Sequence, residues 1–295
     1  MDKVLYYLLL KPLSYLPFSL LYLFSDFLYF LLYKVLGYRQ KVVRNNLQNS
    51  FPEKTPGEIK NLERAFYSHF FDLIVESVKL FSISKEELNR RSRILNPEVL
   101  DRFYDEGKSI IIVGSHYNNW ELGAAILSNQ VKHHIIGIYS PMSNKFFEDK
   151  ILRSRSKFGM EMLSTKKVKE GFESHKNELT ATIFATDQSP TYSKNVHWTL
   201  FLNQPSAIPL GAESYAREYN FPLVYMFITK VRRGYYEMEA RVLEANPTQT
   251  RPGEITERHV RWLEDRIKDT PQFWLWTHKR WKRKMKEEDK LYVTH

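Results

Sequence analysis

The chain has no cysteine, which excludes disulfides, thiolate nucleophiles, Cys-ligated zinc and iron–sulfur clusters. No alanine precedes Ala65, so a small-residue cleavage site is missing behind the apolar N-terminus. With only a thin basic stretch ahead of it, that segment reads as retained, not as a secretory signal. Neither a P-loop nor a dinucleotide fingerprint occurs, and the histidines at 69, 133, 134, 175, 197 and 259 show no metal-ligand spacing. Acids are the scarcer charge, 34 against 44 Lys and Arg, for a net +10 over 295 residues. Apolar residues at 43% and charged ones at 26% exclude both a wholly disordered chain and a multi-spanning membrane protein. What is abundant is aromatic: Phe, Trp and Tyr make up 15%. A basic, ring-rich chain suits an anionic surface, either a membrane interface or a nucleic acid.

The run Leu13–Tyr33 favours the membrane. It is almost entirely Leu, Phe and Tyr, broken by Pro17, three serines and one charge, Asp26. A bilayer-spanning helix needs about 20 apolar residues, so the run just qualifies; a helix lying in the interface and a buried core helix are the other readings. Lys34, Arg39, Lys41 and Arg44 follow it, which by the positive-inside rule puts the remainder on the cytoplasmic side.

Beyond residue 50, helical patterns alternate with short β-rich runs. Thr55-Pro56-Gly57-Glu58 is a capping box with proline at the first helical position. Ser84 with Glu87 repeats the signal, and Asn96-Pro97 opens a helix that Gly107 ends. Strands are expected at Ser109–Val113, Ile135–Tyr139, Thr180–Ala185, Leu223–Ile228 and Tyr235–Val242, the last two joined as a hairpin through Arg233-Gly234. Helices are expected around 120–130, 144–157, 166–177, 207–219 and 255–268. The pattern implies one α/β domain with a mixed, partly parallel central sheet flanked by helices, preceded by an N-terminal membrane-anchoring helix.

Chemistry gathers where the strand Ser109–Val113 runs into Gly114-Ser115-His116-Tyr117-Asn118-Asn119-Trp120-Glu121. On one continuous helix His116 and Glu121 would point about 140° apart. They meet only if His116 sits in the loop and Glu121 in the first helical turn, with Asn118 or Asn119 as N-cap. The carboxylate would then fix the imidazole tautomer and raise its basicity. The helix amino end would offer amides to a developing oxyanion. On spacing alone, a capping loop with an incidental histidine stays open.

Gly114–Gly123 resembles the His-x4-Asp/Glu motif of the late acyltransferases of lipid A biosynthesis, the lauroyl/myristoyl transferases. Arg44-Asn45-Asn46-Leu47 with Phe51-Pro52-Glu53 resembles that family's R-N-L…F-P stretch, and Arg155 with Phe158-Gly159 its R-x-x-F-G segment. Ala185-Thr186-Asp187-Gln188 is similar to its P-D-Q loop, followed by a phenylalanine-rich strand represented by Thr199–Leu202. Pro271-Gln272-Phe273-Trp274-Leu275-Trp276-Thr277-His278-Lys279-Arg280 resembles its C-terminal signature. The departures are Thr186 where the family carries proline, and a less glycine-rich run from Ser189 to Val196. A Phe-Pro-Glu-Gly motif downstream of the histidine, the mark of the glycerolipid branch, is missing.

The resemblance implies an anchor over residues 1–36 and an acyltransferase domain over 37–295. It implies O-acyl transfer from a thioester, with acyl carrier protein as donor, to a hydroxyl of a lipid A precursor, with neither cofactor nor metal. His116 would be the general base and Glu121 its orienting partner. Arg153 and Arg155, on a basic helix, would bind an anionic group of a substrate, while Asp187 and Gln188 would shape the acceptor site. The enzyme would work among the lipids of the bacterial inner membrane, catalytic domain on the cytoplasmic side. The alternatives are another lipid acceptor (a glycerolipid or glycolipid) and a basic nucleic-acid-binding protein. No RNA-binding signature supports the last.

Overall fold

The computed structural model describes residues 2–190 and 195–292. Among them the main sheet has seven strands in the order β1-β9-β8-β2-β5-β3-β4. These are β1 Ser92–Ile94, β2 Ile110–Gly114, β3 His134–Tyr139, β4 Glu161–Ser164, β5 Thr180–Ala185, β8 Leu223–Arg232 and β9 Tyr235–Glu244. A smaller sheet holds β6 Val196–Phe201 and β7 Gln204–Pro209 antiparallel, with β10 Leu291–Tyr292 beside β6. In the main sheet only β8 and β9 pair antiparallel. Their turn needs Gly234: its φ is +76°, and a Cβ there would lie 1.9 Å from the Tyr22 hydroxyl. The fold is thus a single α/β domain on a mixed, parallel-rich sheet, as expected.

Central β2 is buried at Ile110, Ile111, Ile112 and Val113, as a parallel strand covered on both faces must be. Helices begin where caps were read. Thr55 and Glu58 close their capping box at the head of Pro56–Lys79, and the Ser84 side chain accepts from the Glu87 amide. Two expected helices are shorter than their patterns: that around 166–177 is Val168–Ser174, and helix Gly211–Tyr219 starts only after β7, because Gln204–Pro209 is taken up in pairing with β6.

The N-terminal run is helical over 2–15 and again over 18–35, not continuous over 13–33. Leu16 stands before Pro17 in extended conformation, since the proline ring disfavours a helical residue ahead of it. Phe18–Val35 is long and apolar enough to cross a membrane by length and composition. One face, with Leu21, Ser25 and Tyr33, is buried, and Ser25 donates to Asp72 of helix Pro56–Lys79 at 2.9 Å. The other face exposes Leu20, Leu23, Phe27 and Phe30, spaced as a helical stripe.

Candidate active site

Parallel strands deliver their following loops to one edge, where α/β sheets bind ligands. β2 and β5 are neighbours, so residues 115–119 and 186–190 leave the sheet side by side, tied by Thr186 N–H donating to Gly114 O at 3.2 Å. His116 stands in the first loop and Asp187 in the second. The His116 Nδ1 and an Asp187 carboxylate oxygen are 2.8 Å apart, and the other Asp187 oxygen accepts from Trp274 Nε1 at 2.9 Å. Asp187 is buried, whereas a fifth of the His116 side chain remains accessible.

The two groups fix each other's charge. Burial alone would raise the Asp187 carboxyl, but the His116 imidazole beside it, their hydrogen bond and the Trp274 N–H prevail and hold it down at about 2. Burial would lower His116, yet the Asp187 charge and hydrogen bond, helped by Glu121, raise it above its ordinary value. With a carboxylate fixed on Nδ1, that nitrogen carries the proton and Nε2 keeps a lone pair for substrate.

Asn119 caps helix Trp120–Gln130, as expected of one of the two asparagines. Its carbonyl oxygen accepts from Leu122 N–H at 2.9 Å, and its amide donates to buried Glu76 at 2.6 Å. Asn118 takes a left-handed φ of 55°, one asparagine tolerates, and its side chain donates to Ile228 O at 2.8 Å. The C-terminal signature closes the loop from the far side. Leu275 N–H donates to His116 O at 3.1 Å, and Asn118 N–H donates to Phe273 O at 2.9 Å. Asn46 in turn donates to the carbonyls of Trp276 and His278, at 2.9 and 3.0 Å. Burial takes the His278 imidazole down to about 4, and as a neutral ring it accepts from Ser189 N–H at 3.1 Å. The N-terminal and C-terminal motifs of the sequence are therefore one scaffold behind the histidine.

Two of the expected site residues, Glu121 and Arg155, pair with each other. Glu121 does lie in the first helical turn, but the carboxylate on the imidazole is that of Asp187. Glu121 accepts from Arg155 Nε at 2.9 Å and also from Arg155 Nη2, with Trp120 Nε1 at 3.3 Å. Arg155 thus already holds one carboxylate through Nε and Nη2, while 30% of its side chain stays accessible. The reason is geometric: helix Lys145–Ser156 packs beside helix Trp120–Gln130 and turns Arg155 onto it. Arg153, on the same helix, is largely exposed and pairs with Asp149 at 2.8 Å. Gln188 follows Asp187 and is half-buried. Thr191–Lys194, inside the glycine-poor departure, lie outside the described residues.

Cavities flank this centre. An inner one of about 150 Å³ runs from His116 between helix and sheet, walled by Ile112, Met160, Met226 and Met238. An outer one of about 330 Å³ is lined by Leu10, Phe70, Ile74, Phe81, Phe147 and Ile151. Trp120, Glu121 and Arg155 border both. An imidazole lining one apolar cavity, with a second next to it across Trp120, Glu121 and Arg155, can activate a hydroxyl on one long-chain molecule toward an acyl group on another. Remote from it, at the amino ends of the strands, His134 bonds Glu178 at 2.8 Å and His175 bonds Glu161 at 3.1 Å. His134, His175 and Glu178 thus meet in space despite spacing that suggested no such group.

The family model for the bacterial lipid A biosynthesis acyltransferases matches residues 2–283. The chain is 21% identical over 268 residues to the lipid A biosynthesis palmitoleoyltransferase of Escherichia coli (strain K12), covering 86% of this chain and 82% of that one. The lipid A biosynthesis acyltransferase of Shigella flexneri gives the same identity and coverage.

Proposed function

The chain belongs to the bacterial lipid A biosynthesis acyltransferase family, and on that footing we propose how it carries out acyl transfer onto a lipid A precursor. The carrying observation is the 2.8 Å His116–Asp187 pair, with His116 lining an apolar cavity that shares Trp120, Glu121 and Arg155 with a second. His116 Nε2 takes the proton from a hydroxyl on the acceptor's hydroxyacyl chain as the oxygen attacks the thioester carbonyl. Asp187 holds the ring in the right tautomer and stabilises the imidazolium. The amino end of helix Trp120–Gln130 favours the oxyanion of the tetrahedral intermediate. Collapse breaks the C–S bond, and the imidazolium returns its proton to the leaving thiolate. The products are an acyloxyacyl ester and a free thiol.

Glu121 keeps a role in this scheme as the second negative charge near His116 and the partner of Arg155, which together frame the passage between the cavities. Arg153 faces an anionic group of a substrate, and Gln188 supports the Asp187 loop. The donor is acyl carrier protein, an acidic partner suited to a chain of net charge +10. Residues 1–36 serve as the membrane anchor and 37–295 as the catalytic body. Packing of one face of helix 18–35 onto helix Pro56–Lys79 supports a helix lying in the interface, its Leu20, Leu23, Phe27 and Phe30 stripe in the lipid. Lys34, Arg39, Lys41 and Arg44 support the cytoplasmic face of the inner membrane. The test offers purified enzyme one acyl carrier protein thioester together with a lipid A precursor and lysophosphatidic acid. Ester formation on the precursor's hydroxyacyl chain is expected; acylation of lysophosphatidic acid alone would overturn the acceptor.

A further inference from the structure

Beside the outer apolar cavity lies a polar one of about 330 Å³, lined by Tyr6, Tyr7, Lys11, Lys150, Arg153 and Lys157 together with Phe81 and Ser154. Phe81 and Ser154 line both, so the two are contiguous. Four cations border it. Among the described residues the acid paired with them is Asp149, 3.1 Å from Lys150 and 2.8 Å from Arg153. Lys157 donates to the Ile83 carbonyl at 2.5 Å, a neutral acceptor that leaves its charge unbalanced. Lys150 is held in place by rings, 5.7 Å from the Tyr6 centroid and 5.3 Å from that of Phe146. One wall comes from the N-terminal helical run, whose Leu5, Leu8 and Leu9 are exposed. The pocket therefore sits at the level where that run would meet lipid.

Four cations against one acid leave about three uncompensated positive charges in a concave site, which matches a phosphate monoester carrying about −1.5 to −2 at pH 7. The neighbouring apolar cavity continues to Trp120, Glu121 and Arg155, which border the His116 cavity. A ligand filling this series has a phosphate at one end, hydrocarbon in the middle and its reacting group at the histidine. We propose that Lys11, Lys150, Arg153 and Lys157 form the binding site for a phosphate monoester on the lipid acceptor, setting the depth at which its hydroxyl reaches His116. The proposal rests on the acyl-transfer reading above and gives the anion facing Arg153 its chemical class.

The same pocket chemistry would accept the phosphodiester of the donor's prosthetic arm, so the experiment separates the two. Steady-state KM is measured for a phosphorylated hydroxyacyl glucosamine disaccharide, for the same lipid after phosphatase treatment, and for the donor thioester. Removing the phosphate should raise the acceptor KM of the unaltered enzyme about 10-fold. In Lys11→Gln/Lys150→Gln the KM for the phosphorylated lipid should rise by about the same factor, so that the two acceptors become nearly equivalent. A rise confined to the donor KM would assign the pocket to the donor arm, and no rise in either would reduce it to surface charge. A binding arm needs no turnover: His116→Ala protein, with and without the lysine changes, is titrated with micelles of each acceptor and of phosphatidylglycerol. The lysine changes should weaken binding of the phosphorylated acceptor specifically; equal weakening for phosphatidylglycerol would overturn the site in favour of general membrane attraction. If the unaltered enzyme acylates neither disaccharide, the functional reading fails, and the micelle titration still decides the pocket.

Discussion

Glu76 and Asp187 are both buried carboxylates within one hydrogen-bonded reach of the same loop, yet their proton affinities move in opposite directions. Glu76 accepts from Tyr22 and Tyr236 hydroxyls, each at 2.8 Å, and from Asn119 at 2.6 Å. Burial raises it, Asp72 adds to that, and three neutral donors do not offset the loss of water. Asp187 suffers the same burial but faces an imidazole that can take a positive charge, and it falls to about 2. What decides the sign is whether the partner can become an ion. Asp187 is accordingly suited to hold charge through a reaction. Glu76 is a clamp joining three elements: the N-terminal helix through Tyr22, β9 through Tyr236 and helix Trp120–Gln130 through Asn119.

The largest change should come from His116→Ala, with turnover down about 10²–10⁴-fold in a protein that still folds. Near-normal acyl transfer by the folded variant would remove His116 from the chemistry. Asp187→Asn should cost nearly as much and carry a signature of its own. In the unaltered enzyme the base is free only above the raised His116 value, so the rate falls as pH drops through it. Without the Asp187 charge, burial prevails, the imidazole value drops and the acid limb of the pH–rate profile moves to lower pH. A limb that stays put would show that Asp187 does not set the His116 charge.

The same pair predicts a stability window. The His116 contribution is full below its ordinary value and is lost as pH rises through the folded one. That of Asp187 is full above its ordinary value and is lost as pH falls toward about 2. The difference in stability between unaltered protein and Asp187→Asn, read by urea unfolding, should thus peak between roughly pH 4 and 6.5.

Glu121→Gln keeps the shape but removes one charge from Arg155 and from the surroundings of His116. A loss of about 10-fold, with a smaller downward shift of the acid limb than Asp187→Asn gives, is expected. A shift as large as that of Asp187→Asn would restore Glu121 as the main partner of the imidazole. Glu76→Gln should change the rate least and leave the acid limb unmoved. Glu76→Ala, by stranding the buried Tyr236 and Asn119 donors and the half-buried Tyr22 hydroxyl, should lower stability by about 1–3 kcal/mol, measured by thermal unfolding. If Glu76→Gln moved the acid limb, the contrast between clamp and charge holder would collapse.

Local chemistry made the strand–loop–helix around His116 readable. A run of β-branched residues, a glycine and two asparagines encode a buried strand, an exit and a cap. Asp187 as the imidazole's partner was not readable, although the residue itself stood out. Its loop follows an expected strand, but only the order of strands in the sheet brings β5 beside β2. Arg155 reaches Glu121 across a helix–helix contact that no spacing rule encodes. β1 and β4, of three and four residues, are too short to display an alternation. The bonds from Asn46 to residues 276 and 278 involve main-chain carbonyls, which every sequence possesses.

The pairing of residues 116–118 with 273–275 also bears on biosynthesis. A chain leaves the ribosome from its N-terminus, so the helices over 2–35 emerge well before the strand-like partner of the His116 loop. Until Trp274 arrives, Asp187 lacks one donor and the loop lacks its backbone ties. The apolar run over 18–35 thus has the time in which the whole main sheet is synthesised to meet a bilayer while His116 is still unsupported. The ties that steady His116 form late, after that run has had its opportunity to meet a surface.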